Sequence, residues 1–183
     1  VTAPENNQNK LFTLDLQSGW NMIGNPYTIP ISWENVRSYN PGVDIGVLKL
    51  FDGSYANGDE LLPFQGGVVY LEGDDTTIDI PFSGQTSGGR IRHEPFKSDL
   101  NASNWQLDLK IEQGDHKRAL GGIGMHKDAR NEKDYFDDLN PPRFLSYLEL
   151  NFPHPEHPLG YFNKDIVETQ SQYMWQLELN SFD

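Results

Sequence analysis

The chain has 183 residues, of which 36% are hydrophobic and 12% aromatic, and its 27 acidic and 14 basic side chains give a formal net charge of −13. This length suffices for one large or two small domains with real cores. The negative charge argues against nucleic acid as a partner, and no run of about 18 apolar residues is present to insert into a membrane. The chain contains no cysteine, which excludes disulfides and thiol nucleophiles.

The chain opens with the pattern of two short strands joined by a turn. Residues 11–16 alternate apolar with polar side chains, and residues 20–23 form a second strand after a turn at Gly19. This pattern predicts an opening hairpin. Trp20 lies among strand-forming residues, so we expect its large ring to plug one end of the β core.

The rest of the first 82 residues predicts a sheet built around that hairpin. Asp52-Gly53 is the strongest hairpin turn of the sequence. Ser32 is expected to cap a single helical turn over residues 33–36. The β-branched run at residues 68–72 indicates a strand that is buried on both faces. Three strands are predicted here: residues 46–51, 68–72 and 76–82.

The second half begins after a stretch without apolar side chains. Strict alternation at residues 105–112 predicts an amphipathic strand, and the glycine-rich run at residues 120–125 suggests a close approach to another backbone. The prolines of residues 153–158 exclude a helix or a central strand. The sequence therefore predicts an all-β fold with two β-sandwich-like modules in tandem: residues 1–82, a linker at residues 83–89, and residues 90–183.

Two tryptophans of the second half begin the same short motif. Trp105 and Trp175 each open a run of the form Trp-Gln-Leu-x-Leu. We expect both rings in the core, because large rings within strand patterns are usually buried. The two similar strands are predicted to be neighbours in one sheet, although the likeness could also be chance.

Several motifs of glycine, proline and tryptophan carry a resemblance to a known type of module. Gly19-Trp20-Asn21-Met22-Ile23-Gly24-Asn25-Pro26 and the later runs resemble a small β module that recurs near the C-terminal end of large secreted bacterial proteins, and the second half is similar to the segment that often follows it. The resemblance implies an extracellular or cell-surface location, in proteins many of which are clients of type IX secretion, with neighbouring domains of the same large protein as partners. It also implies that this chain is an excerpt. The further runs are Leu62-Pro63-Phe64-Gln65-Gly66-Gly67-Val68, Ile78-Asp79-Ile80-Pro81, Gly122-Ile123-Gly124-Met125 and Pro141-Pro142.

One polar loop concentrates carboxylates that could hold a metal ion. A hard cation such as Ca²⁺ takes six to eight oxygen ligands, which a loop of this kind can supply in part. A structural calcium ion is therefore one interpretation, and a solvated loop whose aspartates cap turns is the other. The candidate ligands are Asp128, Asp134, Asp137 and Asp138.

Catalytic and zinc-binding patterns are weak by comparison. His154 and His157 lie in the proline-locked segment, whose spacing suits neither a helix face nor a zinc finger, so we expect a structural or solvent-exposed role for both. The sequence has no Gly-x-Ser-x-Gly elbow and no glycine-rich phosphate loop before a helix. The sequence predicts that the chain is not an enzyme.

Aromatic side chains in loops or at strand ends offer the more credible binding surface. Sugars lay flat C–H faces on aromatic rings, while neighbouring polar groups bond their hydroxyls. We therefore expect a non-catalytic accessory module that binds a polysaccharide. The alternative is a structural spacer or an assembly and adhesion domain without a small-molecule ligand, in which the same rings fill the ends of the modules. The candidate ligand-binding residues are Trp33, Tyr55, Tyr135, Phe136 and Tyr161.

Overall fold

The computed structural model describes residues 11–82, 101, 103–118, 120–143 and 147–182. Its regular structure is almost entirely strand, so the predicted all-β class is confirmed. The described residues divide into two compact units, one of residues 11–52 and 56–82, the other of Gly53–Tyr55 and the described residues from 101 onward. The linker predicted at residues 83–89 lies outside the described residues.

The first half of the chain forms three antiparallel sheets and one helix. The sheets have the strand orders β1-β8, β2-β7-β4-β5 and β3-β6. The helix α1 (Trp33–Tyr39) is capped by Ser32 as predicted but runs a turn further, and no helix among the described residues is long and apolar enough to cross a membrane. The strands are β1 (Leu11–Leu16), β2 (Gly19–Gly24), β3 (Ile31–Ser32), β4 (Lys49–Phe51), β5 (Tyr55–Asn57), β6 (Glu60–Leu61), β7 (Gly66–Leu71) and β8 (Thr76–Pro81).

The hydrophobic core of the first unit joins residues from all three sheets and the helix. Strands β7 and β8 each contribute two alternate side chains, as expected for strands with one face toward the core. The β7 strand is buried over most of its length, as its β-branched run predicted. The buried cluster contains Leu16, Ile23, Ile31, Trp33, Val36, Ile45, Leu48, Leu61, Val69, Leu71, Ile78 and Ile80.

The predicted opening hairpin is wrong, because β1 and β2 belong to different sheets. Strand β1 pairs along its whole length with β8, and β2 pairs with β7. Gly19 turns the chain with a φ of +92°. Asn21 then bridges the turn: its Oδ1 accepts from the Gln17 amide at 2.9 Å, and its Nδ2 donates to the Gln17 carbonyl at 2.6 Å. These local bonds satisfy the backbone without a ladder between the two strands.

The core tryptophan of this unit is Trp33 and not Trp20. Trp20 stands opposite Tyr70 on the face of the β2-β7 pair that points away from Ile23, and its half-buried ring meets the Tyr70 ring edge-on at 5.3 Å. Trp33 is 3% exposed, and its indole N–H donates to the Gly46 carbonyl at 3.1 Å. The sequence pattern missed this because a single predicted helical turn does not indicate which of its side chains faces the core.

Asn25 holds together three segments of the first unit. Its Nδ2 donates to the carbonyls of Ile29 at 2.7 Å and Leu61 at 2.9 Å, and its Oδ1 accepts from the Tyr27 amide at 2.7 Å. The loop after β2 is thereby fixed to β6. The Asn25 side chain thus provides hydrogen-bond partners for three main-chain groups that no neighbouring strand pairs.

The second half is dominated by a sheet with the strand order β16-β14-β15-β12-β9, in which β13 also pairs with β15. The β12-β15 pair is parallel, and the other pairings are antiparallel. A separate ribbon joins β10 to β11. The strands are β9 (Trp105–Asp108), β10 (Ile111–Gln113), β11 (His116–Arg118), β12 (Gly122–His126), β13 (Asp138–Leu139), β14 (Tyr147–Pro153), β15 (Tyr161–Glu168) and β16 (Glu178–Phe182).

The glycine-rich run of β12 approaches neighbouring backbone closely, as predicted. A Cβ added at Gly124 would overlap the Trp105 carbonyl oxygen, and one added at Gly122 would lie 3.1 Å from the Leu107 carbonyl oxygen. Strands β9 and β12 can therefore pair this closely only with glycine at position 124, and a side chain at position 122 would be tightly packed. The strand predicted over residues 105–112 is split into β9 and β10, which pair with different strands.

The two Trp-Gln-Leu-x-Leu runs are not neighbours in the sheet. Strand β9 lies at one end of the order and β16 at the other, and β16 begins only at Glu178, after Trp175. The two half-buried rings nevertheless meet edge-on, with the centroids of Trp105 and Trp175 5.8 Å apart. The ring contact is made by the irregular segment that precedes β16.

We expect Asn25→Ala to lower the free energy of unfolding of the first unit by about 2–4 kcal/mol, because each of three hydrogen bonds contributes about 1 kcal/mol and two partly buried carbonyls lose their donor. Urea unfolding followed by tryptophan fluorescence measures this loss. Asn35→Ala is the matched control, since within the described ranges the Asn35 side chain makes no hydrogen bond. A loss no larger than that of the control would contradict this structural role of Asn25.

Candidate functional site

Three of the four predicted carboxylates, Asp128, Asp134 and Asp137, lie in residues 127–137, the loop between β12 and β13, and Asp138 begins β13. Asp134 shapes this loop: its Oδ1 accepts from the Phe136 amide at 2.8 Å, and its Oδ2 accepts from the Arg130 amide at 2.7 Å. Both oxygens therefore satisfy backbone N–H groups that have no ladder partner. The loop has a defined conformation because one short acidic side chain spans it.

Asp137 fixes the same loop to the sheet. Its Oδ2 accepts from the Asp134 amide at 2.9 Å, and its Oδ1 accepts from the Ile166 amide of β15 at 2.8 Å. Burial raises the pKa of Asp137 to about 8; the two amide bonds oppose this rise, and the carboxylates of Asp134 and Asp165 add to it. This half-buried carboxyl is therefore a structural group that favours its protonated form below about pH 8.

An aromatic stack runs outward through the loop. The Tyr135 and Phe136 ring centroids are 4.0 Å apart at an interplanar angle of 32°, and the Phe136 and His126 centroids are 4.4 Å apart at 37°. His126 is buried, whereas Tyr135 is 60% exposed. The outermost ring is thus supported from behind by two others. Sequence reasoning missed His126, whose role as a backing ring depends on the turn that follows β12.

Carboxylates surround the exposed ring. Burial, followed by the charges of Asp128 and Asp134, raises the pKa of the Tyr135 hydroxyl. Asp128 is exposed, and its Oδ2 lies 3.8 Å from the Lys127 ammonium and 3.9 Å from Nδ1 of His126. The ring face and these acceptors form a small amphipathic surface, which we call the Tyr135 platform: Tyr135, Phe136, His126, Asp128 and Asp134.

The other predicted ligand-binding rings do not join this platform. Trp33 belongs to the core, as described above. Tyr55 is 6% exposed, and burial raises its pKa to about 12, so its ring is also inaccessible. Tyr161 is 42% exposed, but it begins β15 five residues before Ile166, which is about 16 Å along an extended strand. Trp33 and Tyr55 are therefore corrected from candidate ligand residues to buried ones.

The predicted calcium ligands have structural roles that require no ion. In the described ranges no group of three or more His, Cys, Asp or Glu side chains converges as metal ligands do. Asp134 and Asp137 bond backbone amides, Asp128 points to solvent beside Lys127, and Asp138 starts β13. Calcium at Asp128, Asp134, Asp137 and Asp138 stays a prediction.

A buried histidine lies between two carboxylates in the turn between β14 and β15. Nδ1 of His154 is 2.6 Å from Oε1 of Glu156, and its Nε2 is 3.4 Å from Oδ2 of Asp165. The ring stacks on Phe162 with centroids 3.8 Å apart. Burial alone lowers the pKa of His154, but the bonds to Asp165 and Glu156 outweigh burial and raise it. Both ring nitrogens are thus engaged in holding the turn.

We expect the free energy of unfolding to fall by a few kcal/mol between pH 5 and pH 8. The folded-state pKa values of Asp137 and His154 lie above their ordinary values, so the folded chain binds more protons than the unfolded chain in this range, and stability is lost as the pH rises. Urea titrations at each pH measure the slope. Asp137→Asn reduces this slope and leaves the part that is due to His154, and Asp115→Asn on the exposed β10-β11 turn is the control. Equal slopes for both variants would contradict the assignment.

We expect Asp134→Ala to lower the melting temperature even after a chelator has removed all calcium, because it removes two backbone hydrogen bonds worth about 1 kcal/mol each. Thermal unfolding after exhaustive EDTA treatment and in millimolar Ca²⁺ measures the two values. Asp128→Ala, whose carboxylate is exposed, is the control with little loss. A loss for Asp134→Ala that appears only with Ca²⁺ would instead support the calcium site.

Comparison with known proteins identified no relative of this chain. Searches against protein-family models, curated proteins and solved structures gave no significant match to this chain. The resemblance of residues 19–26 to a module of secreted bacterial proteins therefore stays a prediction, and the function is argued from the geometry of the site.

Proposed function

We propose that this chain is a non-catalytic accessory module of a secreted or cell-surface bacterial protein, and that it binds a neutral polysaccharide on the Tyr135 platform. The observation that carries the proposal is the exposed Tyr135 ring, backed by Phe136 and His126 and flanked by the carboxylates of Asp128 and Asp134. The export setting rests on the resemblance of residues 19–26. A structural calcium ion at the loop that Asp134 shapes and export by type IX secretion are parts of the same proposal.

The chemistry of the platform suits a pyranose ring. The C–H face of a sugar covers an exposed phenol face without leaving polar groups unpaired, and the exposed carboxylate of Asp128 beside the ring accepts hydroxyl hydrogens. Because Phe136 and His126 fix the plane of Tyr135, little rotamer freedom remains to be lost on binding. The acidic side chains and the net charge of −13 favour neutral over polyanionic polysaccharides.

A different observation supports the second candidate function, a spacer or assembly domain. Strand β16 stands at the end of the main sheet order, and Leu179 on that strand is exposed, as are Met174 and Leu177 just before it. An edge strand with exposed apolar side chains can add a strand from a neighbouring domain or another copy. This candidate predicts no affinity for any polysaccharide.

Affinity electrophoresis in gels cast with soluble polysaccharides separates the two candidates. We expect neutral glucan, mannan or xylan gels to retard the wild-type chain and an alginate gel to leave it unretarded. Tyr135→Ala weakens binding by about tenfold or more, because the stacking surface is lost. Tyr161→Ala is the matched control, another exposed tyrosine of the same unit, and keeps wild-type retardation. Free migration of the wild type in every gel would favour the spacer.

A further inference from the structure

Phe64 has a backbone conformation that favours glycine. It is the third residue of the turn Leu62-Pro63-Phe64-Gln65, its φ is +63°, and the Gln65 amide donates to the Leu62 carbonyl at 3.0 Å. Proline at the second position followed by positive φ at the third is the pattern of a type II turn, in which glycine is the usual third residue. Among the described residues, no other non-glycine residue has a positive φ.

The strain at Phe64 is not offset by packing. The side chain is 93% exposed. A bulky residue in this conformation has a steric cost that glycine would avoid. The stability of the fold therefore does not explain why an aromatic residue occupies this position. Residues in strained backbone conformations are frequent at binding sites.

The turn that presents the ring is firmly held. Oε1 of Gln65 accepts from the Leu62 amide at 2.9 Å, and the Gln65 carbonyl accepts from the Asn25 amide at 3.2 Å. These bonds link the turn to Asn25, whose side chain fixes the loop after β2 to β6. The Phe64 ring thus projects from a rigid support, which lowers the entropic cost of binding through it.

A cavity of about 480 Å³ opens beside this turn, with Leu62 and Gln65 forming part of its wall. Its chemistry is mixed: two leucines are apolar, whereas two adjacent side chains are acidic and exposed. Within the described part of the chain, no basic side chain forms an ion pair with either acid. The lining residues are Ser32, Leu50, Asp59, Glu60, Leu62 and Gln65.

We propose that Phe64 and this cavity bind a basic, partly apolar peptide segment of a partner protein. The aliphatic stem of a lysine or arginine covers Leu62 and Phe64, while its charged head reaches the carboxylates of Asp59 and Glu60. The net charge of −13 attracts such a segment from a distance. A neutral sugar would use the ring but leave the two acids without their complementary charge. The site is separate from the Tyr135 platform and does not depend on it.

Fluorescence anisotropy with three labelled peptides of about ten residues tests the proposal: one alternating Lys with Leu, one alternating Glu with Leu, and one alternating Lys with Ser. We expect the Lys-Leu peptide to bind the wild-type chain at least about tenfold more tightly than the other two. Phe64→Gly weakens this binding about tenfold or more while raising the melting temperature, because glycine relieves the strained φ. A folded, more stable variant that fails to bind excludes unfolding as the reason.

Three controls make the outcome decisive. Met22→Ala removes another exposed apolar side chain of the same unit, and Tyr135→Ala removes the glycan platform; both keep wild-type peptide binding. The double variant Asp59→Asn, Glu60→Gln weakens binding and reduces its salt dependence. The proposal is overturned if the wild type binds no peptide up to millimolar concentration, if the Glu-Leu peptide binds equally well, or if Phe64→Gly binds like the wild type.

Discussion

Short amide and carboxylate side chains replace ladder hydrogen bonds where this chain leaves its sheets. In the first unit Asn25 bonds three main-chain groups, and Asn40 bonds the end of the helix to β8 through Val36 and both backbone groups of Asp79. In the second unit Asp134 and Asp137 do the same for one loop. Since strands here are short, the fold depends on these side chains as much as on the sheets.

This constraint explains why both candidate surfaces lie on connections and are still well defined. The Tyr135 ring has a fixed plane because Asp134 and Asp137 set the backbone around it, and Phe136 supports it from behind. Phe64 projects from a turn that Gln65 closes on both sides. Binding residues on loops need such preorganisation, because a mobile ring would lose affinity through ordering.

Local sequence patterns were sufficient to predict the elements that neighbouring residues determine. The β class, the turn at Gly53, the Ser32 cap and the buried strand at residues 68–72 all follow from residues adjacent in sequence. The close approach at Gly124 was also predictable, because a glycine within a strand often marks a place where another backbone comes close.

The rest depended on pairings between distant residues. Strand β1 has the same alternation whether it pairs with β2 or with β8, so the opening hairpin was the economical but wrong prediction. Trp20 and Trp33 exchanged roles because helix α1, and not a strand, carries a tryptophan to the core. For Phe64 a sequence signal existed, because proline is followed by a non-glycine residue where a type II turn favours glycine.

The acidic residues of the chain divide into two functional classes, and this division limits what the protein can bind. Asp134 and Asp137 use their oxygens for backbone amides, and Asp165 holds His154, so these carboxylates have little capacity left for a ligand. Asp59 and Glu60, by contrast, face solvent beside an apolar surface. The net charge of the chain therefore overstates its affinity for cations, because part of that charge serves the fold. What remains is directed to two places with different chemistry: the edge of an aromatic plane, which suits hydroxyl groups, and an open cavity, which suits a basic side chain.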